Sequence, residues 1–253
     1  MRIILAAALC ALTAAPALAQ LPAPLEAALD VTPREAEPIA LDFRVEEGGE
    51  GVTVRVDLSG EAVRYTLLEP GESDLSEAQQ EMWADFLDTE DDVFMDEDDP
   101  EAGDGLTGPV DLRAMIGDEA ELLREEGGLR IYGFAPQTLG GPADGDGEDG
   151  GMDAMLEHLS GEIALDADDI AWVHLFAPES FKPNMAARIN EFSLRQSFVH
   201  EPAYAAPRLA RFEMALTGSA AFQTFEQSMV MEISNMVFAD AQPARLGAGD
   251  ESP

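Results

Sequence analysis

Apolar and polar residues alternate along three early segments of the chain, residues 39–45, 52–58 and 63–67. Side chains of a β-strand point alternately to the two faces of a sheet, so this period of two predicts half-buried strands. Short glycine-containing turns, EEGGEG and SGE, separate the three segments. Strands joined by such short turns pair with each other, which predicts an antiparallel meander.

A helical period replaces the alternation after residue 73. Asp74 and Glu77 have the spacing of a capping box, in which side chains satisfy free backbone N–H groups at a helix start. The apolar residues that share one helical stripe are Leu75, Ala78, Met82, Trp83, Phe86 and Leu87. We expect an amphipathic helix that packs on the sheet. Weaker patterns predict two more helical turns, at residues 112–116 and 119–125.

The alternation returns in the second half of the chain. Six further strands are predicted, over residues 129–134, 159–165, 170–176, 189–198, 208–217 and 227–238. Residues 88–105 and 136–151 are dense in Asp, Glu and Gly and are expected to be acidic loops. The pattern predicts a mainly β protein with inserted helices, built as a single curved antiparallel sheet or half-barrel with a helical plug. This one domain is expected to span residues 39–238, between a Pro- and Ala-rich lead-in (20–38) and a flexible tail (239–253).

One of these strands, with the sequence IAWVHLF, is apolar on both sides. Strict alternation places Ile170, Trp172 and Phe176 on one face and Val173 and Leu175 on the other. A strand that is apolar on both faces must be covered on both. The amphipathic helix can cover one face. Sheet curvature, the following segment FAPESFKP or an apolar ligand can cover the other.

The first 19 residues have the three parts of a secretory signal, namely Arg2, an apolar run and the small-x-small site Ala17-Leu18-Ala19. We therefore expect export to the periplasm, with cleavage before Gln20. Cys10, the single cysteine, lies inside this signal, so disulfides and thiol chemistry are not expected in the mature protein. No later stretch has the roughly 20 consecutive apolar residues of a spanning helix, so no transmembrane segment is predicted.

The charge balance narrows the classes of partner. The sequence has 14 basic and 51 acidic residues, a formal net charge of −37. Such a chain repels phosphate backbones and anionic lipid headgroups, which argues against nucleic-acid binding and electrostatic membrane docking. The expected partners are neutral, apolar or cationic, and the sequence does not indicate an oligomeric state.

Candidate catalytic and metal-ligating residues are few. The sequence contains neither a G-x-S-x-G nor an H-E-x-x-H motif, and none of its three histidines has a nearby Ser–acid pair in a nucleophile turn, so no enzymatic activity and no cofactor are predicted. Met152, Met155 and His158 recur at a spacing of three, and Met229 and Met231 share a strand face. Thioethers and imidazole suit Cu(I), but Met is also a common filler of apolar cores. With 11 methionines in the chain, core packing is the favoured interpretation, and no specific metal site is expected.

The hairpin sequence LSGEIALD (residues 159–166), the long meander, the inserted helices and the predicted signal together resemble a known architecture. Over residues 39–238 the chain resembles the half-barrel of periplasmic lipoprotein carriers of the LolA type and their RseB-type relatives. In those families the concave face of the sheet, partly plugged by helices, takes acyl chains. The resemblance implies a periplasmic, non-enzymatic protein that holds an acyl chain or a lipoprotein segment.

Four aromatic residues are the predicted lining of such a ligand site, namely Trp83, Trp172, Phe176 and Phe181. Two other functions stay open. The acidic loops can dock a cationic partner in an interaction protein, and the Met152–His158 cluster can bind a metal.

Overall fold

A computed structural model describes residues 21–31, 38–60, 62–88, 111–139, 153–184, 186–200, 206–221 and 223–239. Several sequence predictions fall outside these residues: the secretory signal with Cys10, most of both acidic loops, Met152 and nearly all of the C-terminal tail.

Within the described residues, ten strands form one open antiparallel sheet. In chain order they are β1 (Pro38–Glu47), β2 (Glu50–Asp57), β3 (Arg64–Glu69), β4 (Ala120–Glu126), β5 (Leu129–Phe134), β6 (Ser160–Asp166), β7 (Asp169–Phe176), β8 (Ala187–His200), β9 (Pro207–Ala220) and β10 (Gln223–Phe238). The spatial order is β3-β2-β1-β10-β9-β8-β7-β6-β5-β4, so the last strand returns to pair with the first. The predicted fold class, a mainly β protein with one antiparallel sheet and inserted helices, is confirmed.

The described chain also contains four α-helices. They are α1 (Ala23–Leu29), α2 (Glu77–Asp88), α3 (Leu112–Ile116) and α4 (Asp153–Leu156). The predictions of α2 and α3 are confirmed, whereas α1 lies in the lead-in, where no element was predicted. None of the helices in the described residues is long and apolar enough to cross a membrane.

The start of α2 differs from the prediction. Asp74 ends a short 3₁₀ turn, and the helix begins at Glu77. The reciprocal cap is made two residues later: Ser76 Oγ accepts from the Gln79 backbone N–H at 3.2 Å, and Gln79 Oε1 accepts from the Ser76 N–H at 2.9 Å. Ser76 and Gln79 therefore form the capping box.

The predicted helical turn at residues 119–125 is wrong, because this segment is strand β4. Gly127 and Gly128 follow it with φ of +61° and +92°. Positive φ at both central residues makes the tight turn that matches the twist of a hairpin, so the chain returns at once and pairs β4 with β5. That pairing outweighs the weak local helix pattern.

One face of the sheet carries the core. Directly paired residues of neighbouring strands lie on the same face, so the registers trace one row across nine strands. The row is Val52, Val45, Met231, Phe212, Gln196, Val173, Ile163, Tyr132 and Leu122. We call this the inner face and its opposite the outer face.

The helices divide the inner face into two covered regions. Helices α1 and α3 bury Leu25 and Met115 in a large core cluster with residues of β5 to β9. Helix α2 covers a smaller cluster over β1 to β3 through Phe86, whose ring lies 5.7 Å from that of Phe43 and 6.2 Å from that of Tyr65. The middle of the sheet lies between the two.

Candidate functional site

A β-bulge in β7 changes the faces predicted for this strand. Ala164 pairs with Trp172, but its neighbour Leu165 pairs with Ile170, so Ala171 is an extra residue on β7. An extra residue resets the alternation of a strand. Ile170 therefore joins Val173 on the inner face, and the prediction that it shares a face with Trp172 is wrong.

Trp172 and His174 lie on the outer face, where charged side chains surround them. The guanidinium of Arg195 stands over the Trp172 ring, 4.3 Å from its centroid. Arg124 donates to both carboxylate oxygens of Glu162, at 2.7 and 2.9 Å. Arg195 thus covers the Trp172 ring on the second side of β7, next to the Arg124–Glu162 pair.

The same outer-face pattern continues toward β1. Arg211 donates to Glu213 at 2.9 Å and also contacts Glu232, and Arg44 donates to Glu46 at 2.8 Å. Arg211 and Glu232 pair across β9 and β10, whereas the other two pairs join residues two apart on one strand. Pairs of opposite charge suit a sheet face that meets water.

His174 has a chemically distinctive environment on this face. Its Nε2 lies 2.9 Å from Ser193 Oγ. Burial, and then the positive charge of Arg195, lower the pKa of His174, while Glu162 opposes this shift. The hydrogen bond from Arg124 lowers the pKa of Glu162, so that carboxylate stays ionised.

Sequence reasoning missed the Ser193–His174 contact, because the two residues meet only through the pairing of β7 with β8. They have the contact of a nucleophile and its base. However, the Glu162 carboxylate is bound to Arg124 rather than orienting the imidazole. Since β8 lies between β7 and β9, the backbone N–H groups around Ser193 face neighbouring strands rather than a reacting oxyanion.

The four predicted lining residues do not come together. Phe181 is buried in the inner-face core, where it bridges to Ile189 and its ring lies 4.6 Å from that of His158. Phe176 lies on the outer face with Trp172. Trp83 lies on α2, which packs on β2 and β3. The sheet order separates β2 from β7 by five strand spacings, roughly 24 Å.

An apolar strip crosses the inner face between the two helical covers. It consists of two cross-strand pairs on β9 and β10, Phe212 with Met231 and Met214 with Met229. We call these four residues the central strip. All four are only partly buried. Phe212 packs against the large core cluster and Met231 against the small one, so the strip lies where the two clusters meet.

A second feature is an open cleft of about 840 Å³ beside β4. Its apolar lining includes Leu123, Phe134 and Phe176. Phe134 lies directly over Gly161, where any Cβ would collide with its ring at 2.4 Å. Because Gly161 has no side chain, the Phe134 ring can pack directly on the backbone of β6 at this position.

Among the described residues, no group of three or more His, Cys, Asp and Glu side chains is arranged to hold a metal ion. Met155 lies in α4 and packs on the core cluster. Comparison with protein-family models, curated proteins and solved structures finds no match for this chain. The resemblance to the LolA and RseB types stays a prediction.

Proposed function

We propose that the protein is an exported, non-enzymatic binding protein that holds an apolar ligand, an acyl chain or an apolar lipoprotein segment, on the central strip. The observation that carries the proposal is the partial exposure of Phe212, Met214, Met229 and Met231 on the inner face, between the two regions that the helices cover. A cluster of exposed apolar residues on one face commonly marks a binding surface.

The residue types of the strip suit a flexible apolar ligand. Methionine is unbranched and polarisable, so it adapts its shape to a chain that has no fixed conformation. The inner-face residues of β10 from Phe225 to Met231 span roughly 20 Å and are apolar except for Gln227, which gives an extended chain a long track. Each buried methylene contributes about 0.8 kcal/mol, so the affinity needs no charged anchor.

The charge of the protein fits the same function. A net charge of −37 repels anionic headgroups, so the surface does not attach electrostatically to a lipid bilayer. Ligand binding then depends on the apolar strip, while arginine–glutamate pairs keep the outer face in water.

Two neighbouring residues of β10 provide a matched test. Met231 faces the strip and Val230 pairs with Glu46 on the outer face, and both are partly buried. We expect Met231→Gln to weaken binding of a fluorescent fatty acid about three- to tenfold, because a polar amide replaces apolar contact. Val230→Gln should leave the binding unchanged. Fluorescence titration at equal protein concentration measures both, with thermal melts to compare their stability.

Trp172→Ala tests whether the ligand lies on the central strip or against Trp172 on the outer face. If the ligand lies on the central strip, fatty-acid binding should be unchanged in this variant. A loss that follows Trp172 rather than Met231 would place the ligand on the outer face and overturn the assignment.

Export is the cellular part of the proposal. Its support is the three-part signal before Gln20. Expression in a Gram-negative host should yield a periplasmic protein whose N-terminal residue is Gln20. An intact Met1 on the purified protein, or its retention in the cytoplasm, would contradict export without bearing on the strip.

A further inference from the structure

Strand β4 lies at one edge of the sheet in the described part of the chain, so only one of its sides pairs with another strand. Every residue of β4 after Ala120 is exposed, including Leu122 at 51% and Leu123 at 46%. An edge strand presents unpaired N–H and C=O groups that can pair with another extended chain. Two adjacent exposed leucines add apolar surface at the same place.

The charged residues of β4 determine which kind of extended segment can pair with the free edge of this strand. Arg124 is already bound to Glu162 and Glu126, whereas Glu121 and Glu125 have no ion pair among the described residues. A second copy paired antiparallel about Leu123 would oppose Glu121 to Glu125, and like charges directly opposite destabilise a strand pair.

The two long acidic segments of the same chain are no better matched to this edge. Residues 89–110 contain nine acidic residues and residues 140–152 contain four, and neither segment has a basic residue. A basic segment of another protein is electrostatically complementary to β4, while the same carboxylates repel acidic competitors.

The cleft beside β4 adds a place for a side chain. Its acidic lining residues are Asp118, Glu119, Glu121 and Glu162, the last of which is paired with Arg124, and Leu123 and Phe134 lie among its apolar ones. A lysine or arginine has an aliphatic stem and a cationic head, so it can place the stem on the apolar wall and the head among the carboxylates.

We propose that the β4 edge binds an extended segment of a partner protein in which basic and apolar residues alternate. The partner adds an eleventh strand next to β4 and inserts one lysine or arginine into the cleft. This mode of recognition takes affinity from backbone hydrogen bonds and specificity from alternate side chains. It is independent of the central strip, which lies on β9 and β10.

A labelled ten-residue peptide of repeating Lys-Val-Lys-Thr tests the proposal, with a Glu-Val-Glu-Thr peptide of equal length as control. We expect fluorescence anisotropy to show saturable binding of the basic peptide only. Hydrogen exchange should show new protection of the β4 amides in the complex. Binding should weaken several-fold as NaCl is raised from 50 to 500 mM but should not vanish, because backbone pairing is not screened (~10 Å Debye length at 0.1 M).

Two double variants with equal charge change separate pairing at β4 from general attraction to an acidic protein. Glu121→Lys with Glu125→Lys should weaken basic-peptide binding at least about tenfold, since attraction becomes repulsion at both positions. Glu77→Lys with Glu81→Lys, on exposed positions of α2, should change it less than about twofold.

Three results would overturn the proposal. An equal loss in both double variants would mean diffuse charge attraction. Protection of β3 instead of β4 would place the peptide at the other edge. Sedimentation of the free protein as a dimer with protected β4 amides would make a second copy the occupant. Fatty-acid binding should be unchanged in all of these variants, so failure here is distinguishable from failure of the central strip.

Discussion

Arg195 links two properties of the outer face at the scale of single residues. Its guanidinium covers Trp172 at 4.3 Å from the ring centroid, and its charge contributes to lowering the pKa of His174. Burial of the imidazole acts in the same direction and is the larger cause. Both effects disfavour a proton on His174 in the folded protein.

The first residue-scale prediction is that Arg195→Gln raises the pKa of His174 toward its ordinary value of about 6.5, because a repelling charge is removed. Tryptophan emission should shift to longer wavelength in the same variant, since the cover of Trp172 is lost. NMR titration of the His174 ring protons measures the pKa, and Arg188→Gln on the same strand serves as the control. A pKa that is unchanged or lower in Arg195→Gln would contradict the account.

The lowered pKa also gives a stability effect with a definite sign. The unfolded chain binds a proton at this residue more readily than the folded chain, so protonation favours unfolding. The contribution of His174 to the free energy of unfolding is therefore lost as pH falls from about 6.5 through the lower pKa of the folded state. Above about pH 6.5 the imidazole is largely neutral in both states, so this group adds no pH dependence to the stability there.

At the scale of elements, α2 covers one end of the inner face through few contacts. Phe86 packs on Phe43 and Tyr65, and Gln79 Nε2 donates to the backbone carbonyl of Gly51 at 2.9 Å. Leu87 on the same helix is 57% exposed. Phe86 thus provides an aromatic packing contact of the helix, and hydrogen bonds from Gln79 and Ser76 connect its first turn to β2.

We predict that Phe86→Ala lowers the free energy of unfolding by about 1–3 kcal/mol, because a partly buried aromatic ring is lost. Leu87→Ala should change it by less than about 0.5 kcal/mol. Denaturant melts measure both values. Phe86→Ala should also speed amide exchange in α2 and increase binding of an apolar dye by the uncovered inner face. Equal behaviour of the two variants would mean that Phe86 does not hold the helix.

The elements also show which parts of the fold were predictable from local sequence. Alternation predicted nine of the ten described strands, because most have one apolar face on the core. The tenth, β4, is an edge strand with little burial, so its residues carry no alternating signal and its state depends on pairing with β5. Helix α1 was missed because its burial depends on contacts with distant strands.

The candidate site was less predictable than the fold. A single extra residue, Ala171, decides that Ile170 lies on the opposite face from Trp172, and no local pattern indicates this bulge. The pairs of the central strip depend on the register between β9 and β10, although the shared face of Met229 and Met231 is visible in the sequence. The alternation of apolar and polar residues thus predicts the strands well. β-Bulges and strand registers determine which side chains lie next to each other on a face.

At the scale of the whole molecule, the two faces of the sheet have opposite character. The outer face carries paired arginine and glutamate side chains, and the inner face carries the core with the central strip between its two helical covers. The strongly acidic chain keeps the protein apart from anionic surfaces. Under the proposed function, the molecule carries an apolar chain in water by burying it against the central strip.

Native mass spectrometry of freshly purified protein from a periplasmic extract tests this claim most directly. We expect a population whose mass exceeds that of the bare chain. Collisional activation should release the added mass, and organic extraction should identify it as an acyl-containing molecule. The added mass should persist in Val230→Gln and decrease strongly in Met231→Gln. A wild-type spectrum that contains only the mass of the bare chain, from protein that also fails to bind a fluorescent fatty acid, would contradict the account.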